Sequence, residues 1–119
     1  MSLSESLDKK IYNYYEVIDS VVKVYYWNQK ENKEIYFLVD KEDFEKISDR
    51  YWSQNCNGYI FSRKGNIRVF LHRYIMNLTE RDLVVDHINH DILDNKKSNL
   101  RIATFTQNNI NKKKMVGVH

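Results

Sequence analysis

Cysteine is nearly absent from this chain of 119 residues. Cys56 stands alone, which excludes an intramolecular disulfide and any multi-cysteine zinc site. No apolar run approaches the length needed to span a bilayer, so a membrane protein is not expected. No secretory signal is visible, and the simplest expectation is a cytoplasmic, intracellular location. Charge excess is also small, at +3 overall, but it is unevenly placed. Residues 1–85 carry 13 Lys/Arg against 13 Asp/Glu, whereas residues 86–119 carry 6 against 3. The whole surplus therefore lies in the last third. Lys112, Lys113 and Lys114 belong to it, and they suit either a helix C-terminus or a nucleic-acid phosphate.

What is present is a modest, aromatic-rich core. Hydrophobic residues make up 42%, with nine Tyr, five Phe and two Trp, enough for one domain at this length. Residues 1–10 read as a polar, poorly ordered leader, Met1-Ser2-Leu3 resembling an expression remnant. From Tyr12 to Trp27 the Tyr, Val and Ile content predicts two short strands broken near Asp19-Ser20. A polar turn over 28–33 leads to a strand over Glu34–Val39. Asp40 is placed to cap a helix over Lys41–Arg50, with Phe44, Ile47 and Tyr51 on its inner face. Lys64-Gly65 separates two runs that read as a hairpin. Leu71–Asn77 reads as a short helix. The expected class is α+β: a small antiparallel sheet with short helices over residues 11–80, serving as a scaffold.

Residues 83–111 carry the chemistry. Leu83-Val84-Val85 predicts a strand running into Asp86-His87, followed by a polar Asp/Asn-rich loop from Asn89 to Ser98. Leu100–Ala103 is long enough for a second strand. Thr104 and Gln107 have capping-box spacing, so a helix starts there and runs to about Lys113. The carboxylate of Asp86 and the amide oxygen of Asn108 are hard oxygen donors, suited to Mg2+, Mn2+ or Ca2+ and not to structural zinc. The unperturbed pKa of histidine lies near neutrality, so His87 suits a general base. Neighbours on a regular strand face opposite ways, so a shared site requires the strand to end, twist or bulge at the Asp86-His87 pair.

This segment resembles the HNH nuclease motif, the ββα-metal fold, in the phage and bacterial homing-endonuclease-like branch that opens with Asp-His. Asp86-His87, Asp94-Asn95, Asn99-Leu100-Arg101, Thr104 and Gln107-Asn108-Asn109 carry the resemblance, over about a quarter of the chain. It implies metal ligands at Asp86 and Asn108, a general base at His87, and Asn99 as the middle Asn that ties the loop and orients the base. One Mg2+ (or Mn2+) ion is implied, with double-stranded DNA as substrate, nicked by water attack to leave a 5′ phosphate. Asp94-Asn95 and Thr104 read as turn and cap residues, and His90 as a solvated loop residue. His72-Arg73 matches a Leu-His-Arg signature found upstream of the motif in this group. His72 is read first as structural, and Arg73 as either a phosphate contact or an ion-pair partner. Arg101 and the three lysines complete the expected DNA-binding set. On this reading residues 81–114 form the nuclease motif, and 115–119 resemble the opening of a further DNA-binding module. A catalytically silent DNA-binding module of the same fold is the alternative.

Overall fold

The structure, a computed structural model, describes residues 12–116, with side chains described for all of these except Lys64 and 111–116. Strands β1 (Tyr15–Ile18), β2 (Val21–Asn28) and β3 (Lys33–Asp40) form an antiparallel meander. Alternation explains β2. Val22, Val24 and Tyr26 point into the core, while Val21, Lys23 and Tyr25 stay half-exposed on the other face. Asp19 and Asn32, both at positive φ, turn the chain between these strands. Helix α1 (Lys41–Ile47) leads to a second antiparallel sheet of β4 (Ser53–Gln54), β5 (Ile60–Lys64) and β6 (Ile67–Phe70). Helix α2 (Leu71–Ile75) follows β6 directly. The last elements are strand β7 (Leu83–His87), a 3-10 turn at Lys97–Asn99, strand β8 (Leu100–Thr104) and helix α3 (Phe105–Val116). Strands β7 and β8 pair antiparallel.

The architecture is α+β with small antiparallel sheets and few helices, as expected. The region before residue 80, however, holds two three-stranded sheets where a single sheet was anticipated. All of them feed one core. Val24 and Phe37 from the first sheet, Ile60 from the second, Leu71 and Ile75 from α2, and Val85 and Leu100 from the β7–β8 hairpin are buried in a single cluster.

Two local expectations around α1 need correction. Asp40 occupies the N-cap position but makes no side-chain cap bond. Its Oδ2 accepts the backbone N–H of Lys97 instead, at 2.9 Å, because the 3-10 turn presents an N–H that needs a partner. The helix also stops at Ile47, so Tyr51 is 47% exposed and off its inner face. Trp52 fills the core there. Its backbone N–H donates to Asn13 Oδ1 at 2.9 Å, its backbone carbonyl accepts from Asn13 Nδ2 at 2.9 Å, and its indole N–H reaches Ile47 O at 2.7 Å.

The loop between β7 and β8 docks on the open edge of β3. Leu38 N–H donates to Leu93 O at 2.8 Å, and Asn95 N–H donates to Leu38 O at 2.9 Å, giving a short parallel bridge. This covers an edge that would otherwise present unpaired groups. Nearby, Lys97 Nζ lies 3.1 Å from Asp43 Oδ1, a carboxylate buried at the start of α1.

A shared core and a docked loop call for one cooperative unit. Urea unfolding followed by far-UV circular dichroism and by tryptophan fluorescence is expected to give coincident transitions. Asn13→Ala, which strands buried polar groups at Trp52, is expected to lower stability by about 1–3 kcal/mol in the same measurement.

Candidate active site

The site is built on the β7–β8 hairpin and the helix that follows it. Register sets Asp86 opposite Arg101 and His87 opposite Leu100. Strand β7 ends at His87, and the chain turns at once, with His90 N–H donating to His87 O at 3.0 Å and His90 at positive φ. The strand end demanded by the Asp-His pair is therefore present. The polar loop folds on its own side chains. Asn89 Oδ1 accepts Asp91 N–H at 2.8 Å, and Asp91 Oδ1 accepts Leu93 N–H at 3.0 Å, two successive Asx turns. Helix α3 opens with a reciprocal capping box, in which Thr104 N–H donates to Gln107 Oε1 at 2.9 Å and Gln107 N–H to Thr104 Oγ1 at 3.1 Å. That fixed start presents Phe105, Asn108 and Asn109, spaced i, i+3, i+4, to one side.

These elements enclose a cleft of about 440 Å³ lined by Asp86, His87, Asn108 and Asn109, with Tyr59, His72, His90, Ile92 and Phe105 around them. Asp86, His87 and Asn108 thus line one cavity. Asp86 is 4% exposed, and its Oδ2 accepts Arg101 Nη2 at 3.1 Å and Nε at 3.3 Å. Arg101 sits directly across the ladder, half exposed, and its charge meets a carboxylate that would be costly to bury unpaired. His87 is 5% exposed, with Nε2 2.9 Å from Asn95 Oδ1. Burial pushes its pKa below the usual histidine value, opposed by the Asn95 hydrogen bond and by the carboxylates of Asp86, Asp91 and Asp94. At neutral pH the ring is therefore neutral, the form a base needs.

A second imidazole stands beside it. His72, on α2, stacks on Tyr59 with centroids 5.4 Å apart, and lies 5.1 Å from the His87 ring. Burial, then the neighbouring His87 and Arg73, lower its pKa to about 3. The sequence favoured a structural role for His72, and His90 was expected in solvent, yet both line the cleft.

Other expected site residues stand elsewhere. Asn99 is buried in the loop rather than in the cleft wall: its Oδ1 accepts Asn89 N–H at 2.9 Å and its Nδ2 donates to Asp94 O at 2.9 Å. Arg73 spends its guanidinium on Leu83 O at 2.8 Å and Glu80 O at 2.7 Å, tying α2 to the start of β7. Lys112, Lys113 and Lys114 lie on α3, and their side chains fall outside the described residues. Tyr59 and Asn95 were not foreseen as site residues. An Asn eight positions after the His, among Asx turns, reads as one more turn former.

The donor set of Asp86 and Asn108, one carboxylate and one amide lining the same cleft, fits a hard divalent cation by its chemistry. Among the described residues one group of three acids is also close enough to hold a metal, namely Asp40, Glu42 and Asp43. It lies at the start of α1, outside this cleft, and the ammonium of Lys97 already sits 3.1 Å from Asp43 and 3.8 Å from Glu42. That cluster is a counter-charged structural joint.

Compared with known proteins, the chain matches no family model and no solved structure. It is similar to a curated protein named as an uncharacterized HNH endonuclease of Acanthamoeba polyphaga mimivirus, at 36% identity over 101 residues. The aligned part is 81% of this chain and 52% of the relative, so the chain spans about half the length of the curated relative it matches. No helix among the described residues is long and apolar enough to cross a membrane.

The depressed pKa of His72 has a consequence for stability. Unfolding restores the ordinary value of 6.5, so below that pH the unfolded chain binds a proton that the folded chain refuses until about pH 3. Stability is therefore complete above pH 6.5 and falls as pH drops through this window, by up to about 1.4 kcal/mol per pH unit for one group. His72→Phe, which keeps a ring against Tyr59, is expected to reduce the pH slope of urea stability between about pH 6 and 4.5. An unchanged slope would refute the assignment.

Proposed function

We propose that this chain is a metal-dependent HNH endonuclease, homing-endonuclease-like, that hydrolyses phosphodiester bonds of double-stranded DNA with one Mg2+ or Mn2+ ion. The observation that carries this reading is that a strand end and a separate helix bring Asp86, His87 and Asn108 to one cleft. The order of elements, two antiparallel strands and a helix, agrees with the ββα-metal arrangement. The name of the mimivirus relative points the same way.

Asp86 and Asn108 would hold the ion through oxygen. When bound, the ion supplies positive charge to the phosphoryl and leaving 3′ oxygens. His87 is the base. Kept neutral by burial, it accepts a proton from water as the water oxygen bonds to phosphorus and the bond from phosphorus to the 3′ oxygen breaks. The leaving oxygen takes a proton from solvent, and the products are a 3′ hydroxyl and a 5′ phosphate. Asn99 acts at a distance, by holding both ends of the loop that follows His87. One such site per chain suits nicking. DNA is held by Lys112, Lys113 and Lys114, which meet phosphate, with the half-exposed Arg101 nearer the hairpin, while Arg73, bonded to Leu83 O and Glu80 O, acts from within as a brace.

Plasmid nicking tests this directly. Supercoiled DNA is expected to be nicked with Mg2+ or Mn2+ and left intact with EDTA. His87→Ala is expected to lose about 10²–10⁴-fold in rate with an unchanged circular dichroism spectrum. Retained DNA binding with no cleavage under any divalent ion would favour the silent binding module. Replacing Lys112, Lys113 and Lys114 with Gln is expected to weaken binding across all sequences. The slope of log affinity against log salt should become shallower by about 0.9 for each phosphate that is no longer neutralised.

A further inference from the structure

A neutral imidazole carries one N–H and one lone pair, and only the bare nitrogen can act as a base. Which nitrogen is bare in His87 follows from its neighbour. Asn95 is 1% exposed, so its amide must be satisfied inside the protein. Asn95 Nδ2 donates to Ile92 O at 3.3 Å. Turning the amide over would set its oxygen against that carbonyl, acceptor facing acceptor. Asn95 therefore presents Oδ1 to His87 Nε2, at 2.9 Å. A carbonyl oxygen can only accept, so Nε2 must hold the hydrogen, and the lone pair is on Nδ1.

Asn95 is itself held from outside the hairpin. Its backbone N–H donates to Leu38 O on β3, while Leu38 N–H donates to Leu93 O. The loop is fixed on both sides of Asp94, and the Asn95 side chain has little freedom to follow a moving ring. Asn99 does not do this work, because both of its side-chain bonds go to the loop backbone at Asn89 and Asp94.

We propose that Asn95, anchored on the edge of β3, is a positioning residue that fixes His87 in the Nε2–H tautomer and so makes Nδ1 the nitrogen that receives the proton in hydrolysis. The assignment rests on the nuclease reading for its purpose but not for its geometry. It also gives the first sheet a part in the chemistry, since the edge of β3 holds the residue that orients the base.

The test is nitrogen-15 NMR of the His87 ring in the free, metal-free protein at about pH 8, where the ring is neutral. Wild type is expected to show a protonated Nε2 and a bare Nδ1. Asn95→Ala, which removes the acceptor, is expected to show both tautomers. Asn95→Asp, which keeps an acceptor in place, is expected to retain Nε2–H. For nicking, Asn95→Ala is expected to lower kcat by up to about 100-fold, the lower end of what a positioned general base supplies, with KM for plasmid DNA unchanged.

A wild-type ring protonated on Nδ1, or an unaltered tautomer in Asn95→Ala, would overturn the proposal. Should Asn95→Ala fail to fold, the wild-type ring and Asn95→Asp decide. The two readings fail separately. Nε2–H without nicking in wild type sinks the nuclease reading and leaves Asn95 fixing the tautomer without a catalytic use, whereas nicking with Nδ1–H keeps the nuclease and overturns this proposal.

Discussion

Two backbone hydrogen bonds at Leu38 hold the rest in place. They join the edge of β3 to the loop at Leu93 and Asn95, and the Lys97 N–H on the Asp40 carboxylate adds a third tie to the same strand. Each bond is modest on its own, about 1 kcal/mol net. Their value is positional. The loop they fix contains Asp94, Asn95 and Asn99, all buried and all polar, in a protein with little core to spare. Such groups are tolerable only when partnered, and their side-chain partners lie within the loop itself, between His87 and Asn99. The loop satisfies its own side chains, and the Leu38 bonds set where it sits.

The same logic governs the cleft. A carboxylate and two imidazoles are drawn out of water next to each other, which is expensive. The protein meets that cost differently for each group. Asp86 faces the guanidinium of Arg101 across the ladder. His72 and His87 avoid charge, both held below the ordinary histidine pKa mainly by burial. The outcome is a carboxylate with its counter-charge beside two rings held below the ordinary histidine pKa. Tyr59, from the turn between β4 and β5 of the second sheet, stacks on His72 and closes the far wall. The cleft is thus bounded by parts of the chain far apart in sequence.

Much of this was legible in the residues, and the limits have physical causes. The strand into Asp86-His87, the Thr104–Gln107 cap and the placing of Asn108 follow from local rules of alternation and helical spacing, which act within a few residues. The Lys64-Gly65 hairpin was visible for the same reason, with Gly65 at positive φ. What stayed hidden depends on long-range docking. Asp40 looks like a cap because its sequence neighbours ask for one, but a turn 57 residues later takes its carboxylate. Asn95 looks like a turn residue because it is also one, and its bond to His87 exists only once the loop has closed. Tyr51 and Trp52 are adjacent aromatics, and only the early end of α1 decides which one is buried.

Gly58 adds one more constraint on the loop, and it bears on how such a protein tolerates changes in length. At φ +93°, it lets the turn before β5 approach Ile92 so closely that a Cβ there would come within 2.7 Å of the Ile92 side chain. The stretch from Ile92 to Asn99 is thereby gripped by the second sheet at one end and by the first at Leu38, so an inserted residue has nowhere to bulge. Insertions are better accommodated at the exposed turn over 29–32 or at Gly65-Asn66, both remote from the cleft. Added peptide, a label or a fused domain can be carried there with the hairpin left intact.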